Sequence, residues 1–125
     1  MLSLMPRVNS WLEYCLGKPG AWPDEPWEGD VVAKVGPQDG GAKIFAFLGT
    51  SAQQDSVGVK CGTREEADLW LQRYPDCARR MPYIGQHGWN TFRLDGTIPD
   101  DELAELIDLS YELVVAKLPK SRRAG

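Results

Sequence analysis

Apolar residues recur at helical spacing in three stretches of the chain and at strand spacing in several others. Val8, Trp11, Leu12, Cys15 and Leu16 fall at i, i+3, i+4, i+7 and i+8, one face of a helix. Gly17, Pro19 and Gly20 end it. Pro23, Pro26 and Gly29 then predict an irregular connection carrying Trp22 and Trp27. Two bare tryptophans in a loop are costly in water, so both are expected to pack on the body. Val31 to Val35, Lys43 to Leu48 and Asp55 to Cys61 read as strands, the first two joined by a Gly- and Pro-rich turn over Gly36 to Gly41. Thr63-Arg64-Glu65-Glu66 is a capping box, followed by a helical face of Ala67, Trp70 and Leu71 that stops at Pro75. Met81 to Ile84 is expected as a short strand and Trp89 to Leu94, which alternates more cleanly, as another. After an Asp95-Gly96 turn, a last helix begins near Pro99 or Asp100. Its face is Leu103, Leu106, Ile107, Ser110, Tyr111, Val114 and Leu118, and Pro119 stops it. Helices at both ends and between groups of strands predict an α+β fold, an antiparallel sheet with helices packed on it.

At 125 residues, 42% hydrophobic and 26% charged, the chain has the size and balance of one soluble globular domain, expected over residues 1–118 with a mobile basic tail at 119–125. No apolar run approaches the roughly 18 residues of a membrane span. The first residues carry no basic stretch ahead of a long apolar one, which argues against a signal peptide. Cys15, Cys61 and Cys77 are odd in number and widely spaced, so they predict a reducing cytoplasm rather than a disulfide framework. With one histidine they make a poor zinc site, and no cofactor is expected.

Charge is uneven along the chain. The net is −4, and Lys117, Lys120, Arg122 and Arg123 supply four of the 14 bases. The remaining 10 stand against all 18 acids, a net of −8 before residue 117. An acidic body matches nucleic acid poorly unless a local patch or the tail reverses the field. The plainer reading is helix chemistry. Asp100, Asp101 and Glu102 lie where the last helix begins, and Lys117 and Lys120 where it ends, complementing its dipole.

The chain has no Gly-rich phosphate loop, no H-E-x-x-H and no G-x-S-x-G. His87 is the only histidine available to activate Cys61, Cys77 or Ser110, and no spacing supports such a pairing, so an enzyme is not the favoured reading. The densest polar-aromatic stretch is Gly85-Gln86-His87-Gly88-Trp89-Asn90-Thr91. It suits either a ligand contact or a tryptophan anchoring a strand, with Asn90 or Thr91 closing the preceding turn. Ser110 is expected to permit close helix–sheet packing, its hydroxyl bonding a carbonyl one turn back. Tyr111 needs a hydroxyl partner if buried. Lys34, Lys43 and Lys60 come from three successive strands, Arg79 and Arg80 precede the fourth, and Arg93 lies on the fifth. They form either a basic patch on one sheet face or separate solvated charges.

Four segments resemble the MmcQ/YjbR family of small bacterial proteins. They are Pro19-Gly20-Ala21 with Pro26-Trp27; Gly41-Ala42-Lys43-Ile44-Phe45-Ala46; Gly88-Trp89-Asn90-Thr91 with Leu94-Asp95-Gly96; and Pro99 to Leu103 running into Asp108-Leu109-Ser110-Tyr111-Glu112-Leu113-Val114 and Lys117-Leu118-Pro119-Lys120. The resemblance implies a two-layer α-β(3)-α-β(2)-α fold, similar to frataxin-like (CyaY-like) and secretion-chaperone-like folds. It also implies DNA as a partner, through a "double wing" arrangement. It brings no catalytic residues.

Three readings follow. One is a cytoplasmic, non-enzymatic DNA-binding module using Lys43, Lys60, Arg79, Arg80 and Arg93 with the tail bases. Another is a protein-interaction or chaperone-like adaptor. The third is a small-molecule site around Trp27, His87, Trp89, Asn90 and Tyr111. No membrane partner is expected, and a monomer is favoured.

Overall fold

A computed structural model describes residues 6–50 and 54–119. The chain runs α1 (Pro6–Leu16), β1 (Ala21–Trp27), β2 (Asp30–Val35), β3 (Lys43–Leu48), β4 (Ser56–Lys60), α2 (Arg64–Arg73) and β5 (Ala78–Arg80). A 3-10 turn (Ile84–His87), β6 (Trp89–Arg93) and α3 (Asp100–Val115) complete it. The strands form one antiparallel sheet in the order β1-β2-β3-β4-β6-β5. This is the expected α+β arrangement with one strand added.

The added strand is the segment read as an irregular connection. Proline lacks an amide donor and is tolerated at a sheet edge, and β1, with Pro23 and Pro26, is an edge strand. Its tryptophans part company. Trp22 is half-buried and its indole N–H donates to the Gly36 carbonyl at 2.9 Å. Trp27 does not pack on the body as expected: it lies beyond a register break in β1 and is 58% exposed. The strand expected over Met81 to Ile84 is also displaced. Pairing covers Ala78–Arg80, and the following residues turn. The Ile84 amide bonds the Pro82 carbonyl at 2.7 Å, with Tyr83 between them at φ 63° and ψ −67°. That is a γ-turn of the rare, strained kind, and it holds Tyr83 94% exposed.

Register sorts the side chains between two faces, because residues directly opposite on antiparallel strands share a face. Ala33, Ala46, Val59 and Asn90 form one row across the sheet. This face carries the core. Phe45, Leu48, Val57, Phe92 and Leu94 close against Val8 and Cys15 of α1, Ala67 of α2, and Leu103, Leu106, Ile107 and Val114 of α3. Fully burying one such side chain contributes about 1.5–3 kcal/mol. The adjacent row, Val32, Phe47, Gly58, Thr91 and Arg79, lies on the opposite face, called here the open face.

Caps fix the helix positions. The Thr63 box is formed in both directions, Glu66 N–H to Thr63 Oγ1 at 3.1 Å and Thr63 N–H to Glu66 Oε1 at 3.0 Å. The α3 helix ends at Val115, earlier than its apolar face suggested, though Leu118 remains buried beyond it. Lys117 therefore lies one residue past the Ala116 C-cap, at the carbonyl end of the helix, and the last turn itself holds no base. Of the expected tail, residues 120–125 lie outside the described residues.

Candidate nucleic-acid interface

Ser110 of α3 is fully buried, and its hydroxyl does not bond back along its own helix. It donates to the Phe45 carbonyl at 2.7 Å and accepts from the Lys60 amide at 2.9 Å. β3 and β4 pair as far as Ala46 and Val59, and Phe45 and Lys60 are the next residues out. The serine thus replaces a missing rung of the ladder, and a longer side chain would hold the two strands too far from the helix. This pins the start of β3 and the end of β4 beside the C-terminal end of α3.

A groove of about 510 Å³ opens at that junction. Its apolar lining includes Trp27 of β1, Ile44 and Phe47 of β3, Ile84 of the 3-10 turn and Trp89 of β6. The Phe47 and Trp89 rings meet edge to face, centroids 5.7 Å apart. Gly58 lies between them in the sheet, and a Cβ there would meet the Met81 sulfur at 3.0 Å and the Phe47 Cβ at 3.4 Å, so the glycine lets Met81 pack closely on the strand. The cationic lining is Lys34, Lys43, Lys60 and Lys117, with His87 beside them and no carboxylate.

The four lysines differ in their partners. Lys34 is paired with Asp24 at 2.7 Å and lies over the Trp22 ring. Among the described residues, Lys43, Lys60 and Lys117 have no ion-pair partner. Lys60 Nζ donates only to the His87 carbonyl. Burial, and then the charge of Lys117, hold its pKa below the usual lysine value, opposed only by Cys61. The site concentrates positive charge that the protein itself does not neutralise.

Of the basic residues singled out from sequence, Lys43 and Lys60 line this groove. Arg79 stands opposite Thr91 and Arg93 opposite Ser56, placing both on the open face but outside the groove. Arg80 stands opposite Asn90, on the other face, and its stem packs on Gly85. Of the polar-aromatic set, Trp27, His87 and Trp89 line the groove. Asn90 and Tyr111 do not, and both have structural partners. Asn90 is fully buried, accepting from Arg64 at 2.6 Å and donating to the Ala67 carbonyl at 2.8 Å, so it ties β6 to α2 rather than closing a turn. The Tyr111 hydroxyl donates to the Pro19 carbonyl at 2.6 Å and its ring packs on Phe45.

Lys34, named from sequence only in the possible basic patch, and Lys117 are the other groove cations. The alternation of β2 signals that Lys34 points away from the core. No local signal brings Lys117 there, because the position follows from where α3 stops.

Covalent chemistry finds no support at the cysteines. Burial pushes the Cys15 and Cys61 thiols up to about 12, which keeps them protonated and poorly nucleophilic. Among the described residues, no group of His, Cys, Asp and Glu is placed to hold a metal ion, and no helix is long and apolar enough to cross a membrane.

The YjbR family profile matches residues 16–113, most of the chain. The chain belongs to the YjbR family. It is 30% identical to the uncharacterized protein YjbR of Escherichia coli K12 over 117 residues, 93% of each chain. The protein of the same description from Escherichia coli O157:H7 matches to the same extent. Among solved structures, the Deinococcus radiodurans protein DR2400, a DUF419 domain, is similar with a TM-score of 0.80 and 26% identity, over 91% of this chain and 83% of that one. A Pseudomonas syringae protein shares the fold at a TM-score of 0.67 and 22% identity, over 88% of this chain and 99% of that one. In this chain Trp89 and Ser110 both lie at the β3–β4–α3 junction that positions the groove.

Proposed function

We propose that this YjbR-family protein is a non-enzymatic binding module whose groove at the β3–β4–α3 junction takes nucleic acid. The supporting observation is the lysine cluster. Three cations without carboxylate partners converge on an aromatic groove in a protein of net charge −4. Elsewhere among the described residues Arg7, Lys18, Arg64 and Arg73 each have an acidic partner, and Arg79, Arg80 and Arg93 make no ion pair but do not line the groove. Leaving like charges together costs free energy that a bound polyanion recovers, with release of its counterions. The aromatic lining adds a surface on which bases stack.

The test is fluorescence anisotropy of labelled nucleic acid with the full chain, over a series of salt concentrations. Binding should weaken steeply with salt and fall at least about tenfold in the double variant Lys60→Glu, Lys117→Glu. Removing residues 120–125 should leave a salt-dependent affinity. Binding that survives the double reversal, or that vanishes with the tail alone, would exclude the groove as the interface. Absence of binding at low salt would sink the reading and turn attention to a protein partner.

A further inference from the structure

Resting on that nucleic-acid reading, we infer that the groove selects single-stranded over duplex nucleic acid, seating a phosphate at Lys60 and Lys117 and stacking a base on Trp27. Three observations carry it. The first is the exposure of Trp27. A tryptophan 58% exposed on an edge strand, beyond a register break, contributes little to the core and offers its ring to a ligand. A duplex has its base faces already stacked, and only a single strand can present one.

The second is the shape of the cationic surface. Lys43, Lys60 and Lys117 lie within one groove of about 510 Å³, with Phe47 and Trp89 in its lining. A duplex needs cations spread along a broader track. The Arg79 and Arg93 side chains that share the face lie outside the groove, and Arg80 is on the other face.

The third is the field of the whole protein. Duplex DNA carries one charge per about 1.7 Å of axis and each of its strands about half that density. The net charge of −4 therefore repels the duplex more strongly, while the groove offers a local exception small enough for one strand.

The experiment compares an oligothymidine of about a dozen residues, the matching duplex, and an abasic strand of the same length. The single strand should bind at least about tenfold tighter than the duplex, with the abasic strand weakened to a similar degree. The slope of log affinity against log salt should be about −2, from three unpaired lysines at about 0.7 each. Lys60→Gln and Lys117→Gln should each reduce that slope by about 0.7. Trp27→Ala should lose about fivefold or more in affinity for the oligothymidine with no change in Tm and none in the salt slope. Duplex binding as tight as the single strand, or full affinity of Trp27→Ala or of the abasic strand, would overturn this inference while leaving nucleic-acid binding in place. No binding to any of the three would overturn both.

Discussion

Arg64 and Lys60 stand four residues apart and line one small pocket beyond the end of β4, yet their partners differ in kind. Arg64 is consumed by the protein. Its guanidinium bonds Asp68 at 2.9 Å, the Asn90 side chain at 2.6 Å and the Gly85 carbonyl, tying α2 to β6 and the 3-10 turn. Lys60 has a single carbonyl and the charge of another lysine for company. Under the helices Ser110 and Asn90 are satisfied internally, the serine standing in for a rung of the ladder. The groove, lined from the open face and from the end of α3 alike, leaves charge without an acidic partner among the described residues. A satisfied network rigidifies a fold, whereas a cluster of cations without acidic partners leaves a positive local field in an acidic protein.

The comparison is broken most forcefully at Ser110. In Ser110→Ala, the Phe45 carbonyl and Lys60 amide lose their shared partner, and each unsatisfied group costs about 1–3 kcal/mol. A loss of about 2–4 kcal/mol in urea unfolding is expected, large for a hydroxyl that touches no ligand. A loss below about 0.5 kcal/mol would mean that the strands close on each other without it.

A smaller effect is expected at the pair that joins α1 to α3. Burial pushes the Asp108 carboxyl up, but hydrogen bonds from Lys18 and Tyr14 outweigh it, and the net is a value below the usual 3.8. A carboxyl depressed on folding stabilises the protein above its unfolded pKa, and that contribution is lost as pH falls through the folded one. Stability should therefore decline below about pH 4. Asp108→Asn should be less stable at neutral pH and flatter over that acid range, as read from Tm against pH.

The smallest effect sharpens the contrast by its size. Replacing Lys60 and Lys117 together with glutamine should change stability by less than about 0.5 kcal/mol, because neither makes an ion pair among the described residues. Any shift should be stabilising, since a lysine whose pKa is depressed by burial and a like charge opposes folding at neutral pH. A clear destabilisation would show the lysines to be structural and would erase the difference between the two faces.

Much of the fold was legible from residue spacing. The Thr63-to-Glu66 box, the three helical faces and the strands over Val31 to Val35 and Lys43 to Leu48 are written in local periodicity and capping chemistry, and the structure places each where the pattern put it. The polar-aromatic segment also pointed to His87 and Trp89, which do line the groove. The misreadings share a cause. β1 reads as a loop because its prolines are tolerated only at an edge, and edge position is a property of the sheet. Asn90 and Tyr111 read as ligand candidates because their partners, Arg64 with Ala67 and Pro19, lie 23 to 92 residues away.

What the sequence by itself determined is the three helices, the central strands, their order and the family, since propensity, periodicity and capping act over a few residues. Tertiary structure alone decided that β6 lies between β4 and β5, that Ser110 bridges Phe45 and Lys60, and that Lys34, Lys43, Lys60 and Lys117 meet around Trp27 and Trp89. Each of those facts depends on strand order and register. These are set by which buried faces close together most favourably over the whole chain, and local sequence does not encode that choice.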